Sequence, residues 1–178
     1  MSPLVLRRAT ASDVPAIVTL VERAYRGEPS RVGWTTEAEL LDGQRTDPKE
    51  VEDLIASTRS QILVAHEGEA ALGSMALTDE GDALYVGMFA VEPTAQSKGV
   101  GRAMLGEAER IGRALEKPRM RMTVIAQRPE LLAWYARRGY RASGAIEMFP
   151  YGNPRFGEPK REDLYFVVLE KPLTLETP

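Results

Sequence analysis

Val91-Glu92-Pro93-Thr94-Ala95-Gln96-Ser97-Lys98-Gly99-Val100-Gly101-Arg102 is the stretch on which the reading of this chain turns. Leu84 to Val91 leads into it and is apolar on both faces near its end, as a strand at the middle of a sheet is. After it, Val100, Met104, Ala108, Ile111 and Leu115 recur at helical spacing, which predicts a helix from Gly99 to about Leu115. Two glycines one residue apart at a helix start take Cβ atoms out of the way, so backbone N–H groups can crowd around a bound anion.

Working outward, Arg119-Met120-Arg121-Met122-Thr123-Val124 alternates strictly and reads as a strand. With Leu84–Val91 and the helix between them it forms a strand–helix–strand unit, expected to be parallel with a right-handed crossover. Upstream, Gln61–Glu67 and Ala71–Thr78 read as strands joined by short polar connections, Glu67-Gly68-Glu69 and Asp79-Glu80-Gly81-Asp82, so neighbours in this part of the sheet are expected to be antiparallel. Leu4 to Arg8 reads as a first strand. Thr10 and Asp13 cap a helix bearing Val14, Ile17, Val18, Val21 and Tyr25, with Pro15 near its start, where a missing N–H costs least. Glu28 to Gly33 is a polar break, and a short helix is expected over Glu37–Leu41. Asp47-Pro48-Lys49-Glu50 predicts a better-capped one, with Glu50 in a capping box. Pro129-Glu130 opens the last helix, Gly139 closes it, and Arg141–Met148 and Leu164–Glu170 are the final strands. Between those two, Phe149–Asp163 is long for a turn and reads as a binding loop.

The chain has 178 residues, 43% of them hydrophobic, so residues 1–178 read as one domain with a sizeable core. A net charge of −3 speaks against nucleic acid or a basic membrane surface as partner. There is no cysteine and one histidine, His66, which excludes thiolate metal sites, a Cys nucleophile and His-rich metal centres. Neither a signal peptide nor a membrane span is read from the sequence, so a cytoplasmic protein is expected.

Two nucleotide-binding readings of the glycine pair fail on the letters. A P-loop needs Lys and Ser or Thr after the second glycine, and here Arg102 follows it. A Rossmann turn needs a third glycine where Met104 stands, and the next strand runs into Thr123-Val124-Ile125-Ala126-Gln127 with no acid for a ribose. By contrast, Gln96-x-x-Gly99-x-Gly101 after a central strand resembles the coenzyme A pyrophosphate loop of the GNAT superfamily of acyltransferases. So does Trp134-Tyr135-Ala136-Arg137-Arg138-Gly139-Tyr140 on the later helix, at the family's spacing. Arg8-Ala9-Thr10-x-x-Asp13 extends the resemblance over nearly the whole chain.

The resemblance implies an α/β fold: a mixed, mostly antiparallel sheet of about seven strands, splayed centrally, with helices on both faces. It implies an N-acetyltransferase that uses acetyl-CoA as co-substrate and no metal, acting on a small-molecule or peptide amine; homodimers are common in similar proteins. Gln96, Ser97, Lys98, Gly99, Val100, Gly101 and Arg102 would hold the pyrophosphate. Phe89, Ala90 and Val91 would pair with the pantetheine arm and polarise the thioester. Tyr135 matches the family's proton donor to the departing thiolate. Seven residues before it, where the family often has Asn to bond the pantetheine, this chain has Arg128 beside Gln127. Amine attack is expected to be direct, since no activated Cys or Ser–His pair exists.

Trp34 is a candidate wall for the acceptor site, the alternative being a staple on the following helix. Glu37 and Glu39, in the segment expected to wall the acceptor site, and Glu147 on a late strand are candidate bases with none assigned, and Arg31 and Arg155 are candidate grips for an anionic acceptor. A non-catalytic coenzyme A-binding sensor stands as the alternative function; it would keep Gly99 and Gly101 without needing Tyr135.

Overall fold

The computed structural model describes residues 2–174. In chain order its elements are β1 (Leu4–Arg8), α1 (Val14–Tyr25), α2 (Gly27–Ser30), β2 (Leu41–Asp42), α3 (Pro48–Ala56), β3 (Ser60–Glu67), β4 (Ala70–Asp79), β5 (Leu84–Val91), α4 (Val100–Ala114), β6 (Arg119–Ile125), α5 (Pro129–Ala136), β7 (Arg141–Met148), β8 (Glu158–Pro159) and β9 (Tyr165–Pro172). Seven strands make one sheet in the order β1-β3-β4-β5-β6-β9-β7, while β2 and β8 pair separately. The β5–β6 pair is parallel and the others are antiparallel, as the crossover and the short hairpins require.

Helices cover both faces. Val100, Met104 and Ala108 of α4 pack with Tyr135 and Tyr140 on one face, and Val14, Ile17 and Val21 of α1 pack with Val51 of α3 on the other. Local sequence signals place the helix starts. Asp47 accepts from the Glu50 N–H at 2.8 Å, while the Glu50 carboxylate takes the Thr46 hydroxyl at 2.7 Å. At α1, Asp13 accepts from the Thr10 N–H at 2.7 Å and from both terminal nitrogens of Arg7 at 2.8 Å.

Two irregularities in β5 open the sheet. Opposite Ser74 to Ala76 of β4, β5 advances from Ala90 to Gly87, one residue more than its partner, and Met88 takes up the extra length at φ 49°. On its other edge β5 pairs with β6 only from Leu84 to Val86. Beyond Val86 the strands part, and β6 continues to Ile125 on β9 alone. A wedge therefore lies beside Gly87–Val91.

The helix expected over Glu37–Leu41 does not form. Thr36 Oγ1 accepts from the Ala38 N–H at 3.0 Å, and a single turn carries Leu40 and Leu41 back to the Glu37 carbonyl. The chain then enters β2, pinned to β8 with the Leu40 carbonyl accepting from the Lys160 N–H at 2.9 Å. A one-turn helix, α2, falls inside the polar break. The long loop after β7 is anchored rather than loose: Phe149 and Leu164 pack with Leu40, Leu41 and Ile125 in a third apolar cluster.

Candidate active site

A 3₁₀ turn, Pro93–Lys98, ends at Gly99, whose φ of +82° lets the chain turn into α4. The first N–H groups of a helix have no partner within it, and their dipoles point outward toward a negative ligand. Nothing lies within 4 Å of where a Gly99 Cβ would sit. A Cβ on Gly101 would point instead toward Phe89, Val91 and Trp134, each at 3.6 Å, and so into the cleft. This open, amide-lined start fits a diphosphate. Exposed Lys98 and Arg102 add positive charge. Arg138 stacks 3.6 Å over the Trp134 ring, and its pKa is lowered by burial and by the neighbouring Arg137 and Arg102.

Gln96 ties this loop to the chain's first third. Its side-chain oxygen accepts from the Trp34 N–H at 3.0 Å and its amide donates to the Val91 carbonyl at 3.4 Å. Gly33 makes the approach feasible, since a Cβ there would collide with the Gln96 side-chain oxygen. Trp34 stacks on Trp134 at 6.2 Å between centroids and 29° between planes.

Two cavities meet at the wedge. The smaller, about 570 Å³ including space open to solvent, is lined by Gln96, Gly101, Phe89, Ala90, Val91, Trp34 and Trp134 among others. The larger, about 1310 Å³ with its solvent-open space likewise included, lies under β2 and the 149–163 loop and reaches Tyr85, Glu147, Phe149 and Phe156. Tyr25, Phe89, Arg128, Leu131 and Tyr135 line both. One co-substrate could enter beside the helix start and the other from the opposite side.

Tyr135 stands where the cavities join. It is 5% exposed, edge-on to Trp134 at 5.1 Å and to Tyr140 at 5.8 Å. Burial raises its pKa well above the ordinary tyrosine value, and no hydrogen bond to its hydroxyl is found among the described residues. The phenol therefore stays protonated and free to donate. Tyr140, in the same motif, is structural: its hydroxyl donates to Glu109 at 3.1 Å in the core.

Arg128, the N-cap of α5, is 6% exposed. It donates to Glu37 at 2.9 Å and to the Thr35 hydroxyl at 2.8 Å. Arg26 donates to the other Glu37 oxygen at 2.6 Å. Glu37, expected in the acceptor wall, thus lines the larger cavity as the centre of a buried Arg–Glu–Arg triad. Trp34 walls the smaller cleft, and no helix follows directly for it to staple. Glu39 and Arg31 pair with each other, and Arg31 also pairs with Glu28 at 2.9 Å, so that arginine is already engaged. Gln127 donates to the Asp163 carbonyl at 2.7 Å. His66 lies beside Arg7 at 3.3 Å, on a strand that lines neither cavity.

Tyr25 escaped the sequence reading as a site residue. Its helical spacing with Val14, Ile17 and Val21 marks it as core, yet its hydroxyl donates to the Phe89 carbonyl at 2.7 Å, at the bulge. Its position four residues after Val21 gives no hint of that bond. Trp134 was visible in the motif as an aromatic, without a sign that it walls the cleft.

A sheet opened beside an amide-lined helix start, with two cavities meeting at the opening, defines an acyltransferase framework. A model of the Acetyltransferase (GNAT) domain matches residues 30–149. Among solved structures, the ribosomal-protein-S18-alanine N-acetyltransferase from Escherichia coli superposes with a TM-score of 0.73 at 14% identity, over 98% of this chain and 97% of that one. An N-acetyltransferase from Staphylococcus aureus Mu50 gives 0.72 at 12% identity, over 97% and 99%. The IAA acetyltransferase from Bacillus cereus ATCC 14579 gives 0.68 at 18% identity, over 96% and 100%. No curated protein matches the sequence. The chain belongs to the GNAT acetyltransferase family and is by class an N-acetyltransferase. No helix among the described residues is long and apolar enough to cross a membrane.

Proposed function

We propose that residues 1–178 act as one unit that moves an acetyl group from acetyl-CoA to a primary amine by direct attack. The observation that carries this reading is the junction of the two cavities at Phe89 and Tyr135, where a buried phenol with no hydrogen-bond partner among the described residues faces the gap in the sheet. The N–H groups from Lys98 to Arg102 at the α4 start would hold the pyrophosphate, with Gln96 and Ser97 shaping the loop. The unpaired β5 edge over Phe89, Ala90 and Val91 would take the pantetheine amides as an added strand and offer an N–H to the thioester oxygen. Tyr25, bonded to the Phe89 carbonyl, would hold that peptide plane in place. Tyr135 would protonate the departing sulfur. Arg128 would position the wall between the cavities rather than replace the family's Asn, because its terminal nitrogens already serve Glu37 and Thr35. The chain has no cysteine, and its lone histidine lines neither cavity, so attack without a covalent enzyme intermediate is the route these side chains support.

The acceptor is a small molecule or the end of a peptide, sized to the larger cavity. The test is thiol release from acetyl-CoA with a panel of amines, followed by mass analysis of the product. Acetylation of at least one amine is expected. Coenzyme A binding with no transfer to any amine would favour a sensor and overturn the reading.

A further inference from the structure

We infer that the acceptor amine also carries a carboxylate-type anion, seated against Arg45 in the larger cavity. This deepens the acyl-transfer reading and rests on it. Three arginines line that cavity: Arg26, Arg45 and Arg128. Arg26 and Arg128 are engaged by Glu37 at 2.6 and 2.9 Å, whereas Arg45 has no carboxylate partner among the described residues.

The Arg45 guanidinium carbon lies 5.1 Å from the centroid of the Tyr25 ring, a cation–π contact that holds the fork in place. Its backbone is held as well, since the Arg45 and Thr46 N–H groups both donate to one Glu22 oxygen, at 2.6 and 2.8 Å. A half-buried, positioned guanidinium without a counter-ion is suited to a carboxylate, which it can meet with two parallel hydrogen bonds.

The place of Arg45 also sets the acceptor's size. The ring it stacks on belongs to the tyrosine whose hydroxyl touches Phe89, beside the proposed thioester. One tyrosine side chain therefore separates the anion seat from the point of attack, which selects compact aminocarboxylates. The lining as a whole carries three arginines, Arg26, Arg45 and Arg128, and three glutamates, Glu37, Glu50 and Glu147. Glu37 is taken up by Arg26 and Arg128, and the Glu50 carboxylate accepts the Thr46 hydroxyl, so Glu147 on the edge strand β7 is the lining carboxylate left to oppose an anion at Arg45.

The experiment compares glycine, β-alanine and γ-aminobutyrate with their amides, and with a diamine of matched length, in the thiol-release assay. In parallel, titration calorimetry measures binding of the N-acetylated acids and their amides to the protein with coenzyme A present. At least one acid should exceed its amide by about tenfold or more in kcat/KM, the range of a hydrogen bond to a charged group. Arg45→Gln should erase that preference and Arg45→Lys restore part of it, with coenzyme A affinity unchanged as the check on folding. Acid and amide within twofold of each other, or Arg45→Gln lowering both alike, overturns the inference while acyl transfer stands. Charge-selective binding that needs Arg45, without transfer, leaves the anion seat standing and overturns the transfer reading. Neither binding nor transfer overturns both.

Discussion

Replacing Tyr135 with Phe removes one oxygen from the meeting point of the two cavities and little else. The ring keeps its edge contacts with Trp134 at 5.1 Å and Tyr140 at 5.8 Å. Because no partner among the described residues is stranded when the hydroxyl goes, stability should change little. The effect on rate should be far larger. A positioned general acid contributes about 10²–10⁴-fold, or about 2.7–5.4 kcal/mol of barrier. In water a phenol of pKa about 10 gives its proton uphill to a thiolate of pKa about 8.5. Burial raises the Tyr135 pKa further, which taken alone worsens this. The thiolate forms in the same desolvated space, however, and is made more basic by the same cause.

The pH consequence has a definite sign. With a folded pKa above the ordinary tyrosine value, the protonated, donating form persists past pH of about 10, so kcat should show no falling alkaline limb below that point. The assay is thiol release at saturating acetyl-CoA and amine, from pH 6 to about 10, with coenzyme A affinity by calorimetry and the melting temperature alongside. In the Phe variant kcat should fall about 100-fold or more, with affinity within about threefold and melting unchanged. A Phe variant whose kcat stayed within about threefold of the parent would refute the proton-donor role, as the gap is far below what a general acid supplies.

Gly101→Ala should separate stability from binding: at the second residue of α4 the backbone tolerates alanine, while the new methyl narrows the cleft between Phe89 and Trp134. Chemical denaturation should show stability held, and a KM for acetyl-CoA raised about tenfold would show the block. Glu37→Gln leaves Arg26 and Arg128 facing each other, both buried, and should cost about 3 kcal/mol, a melting temperature lower by about 6–12 °C in calorimetry. Asp13 is held below the ordinary carboxylate range chiefly by its hydrogen bonds from Arg7, so its contribution is complete above the unfolded pKa of about 3.9 and is lost as pH falls through the lower folded value. Denaturant titrations at pH 7 and pH 3 should therefore find Asp13→Asn less stable by about 1–2 kcal/mol at pH 7, with the gap shrinking at pH 3.

Much of the architecture was legible because it rests on neighbours in sequence. Asp47 and Pro48 start α3 through groups three residues apart, and Gly99 takes a positive φ that few other residues tolerate. Two short polar connections force antiparallel strands, and the helix between β5 and β6 forces a parallel pair. The turn over Gln96–Gly101 and the helix start within it could be read for the same reason, since their shape resides in the backbone of one short segment. The segment over Glu37–Leu41 failed the same reasoning. Its letters suit a helix, but two arginines from other parts of the chain draw the Glu37 side chain inward and a two-residue strand captures Leu41.

Local patterning thus determined the strands, the helix starts, the amide-lined loop and the phenol that follows it, each set by steric and hydrogen-bonding rules that act within a few residues. Only the folded chain decided that Tyr25 reaches Phe89, that Glu37 lies between Arg26 and Arg128, and that Arg45 is left without a carboxylate partner among the described residues. Those meetings depend on how far β5 and β6 diverge after Val86. Side chains distant in sequence come together there because a bulge and an unpaired strand edge leave room for them, and no periodicity in the letters encodes that space.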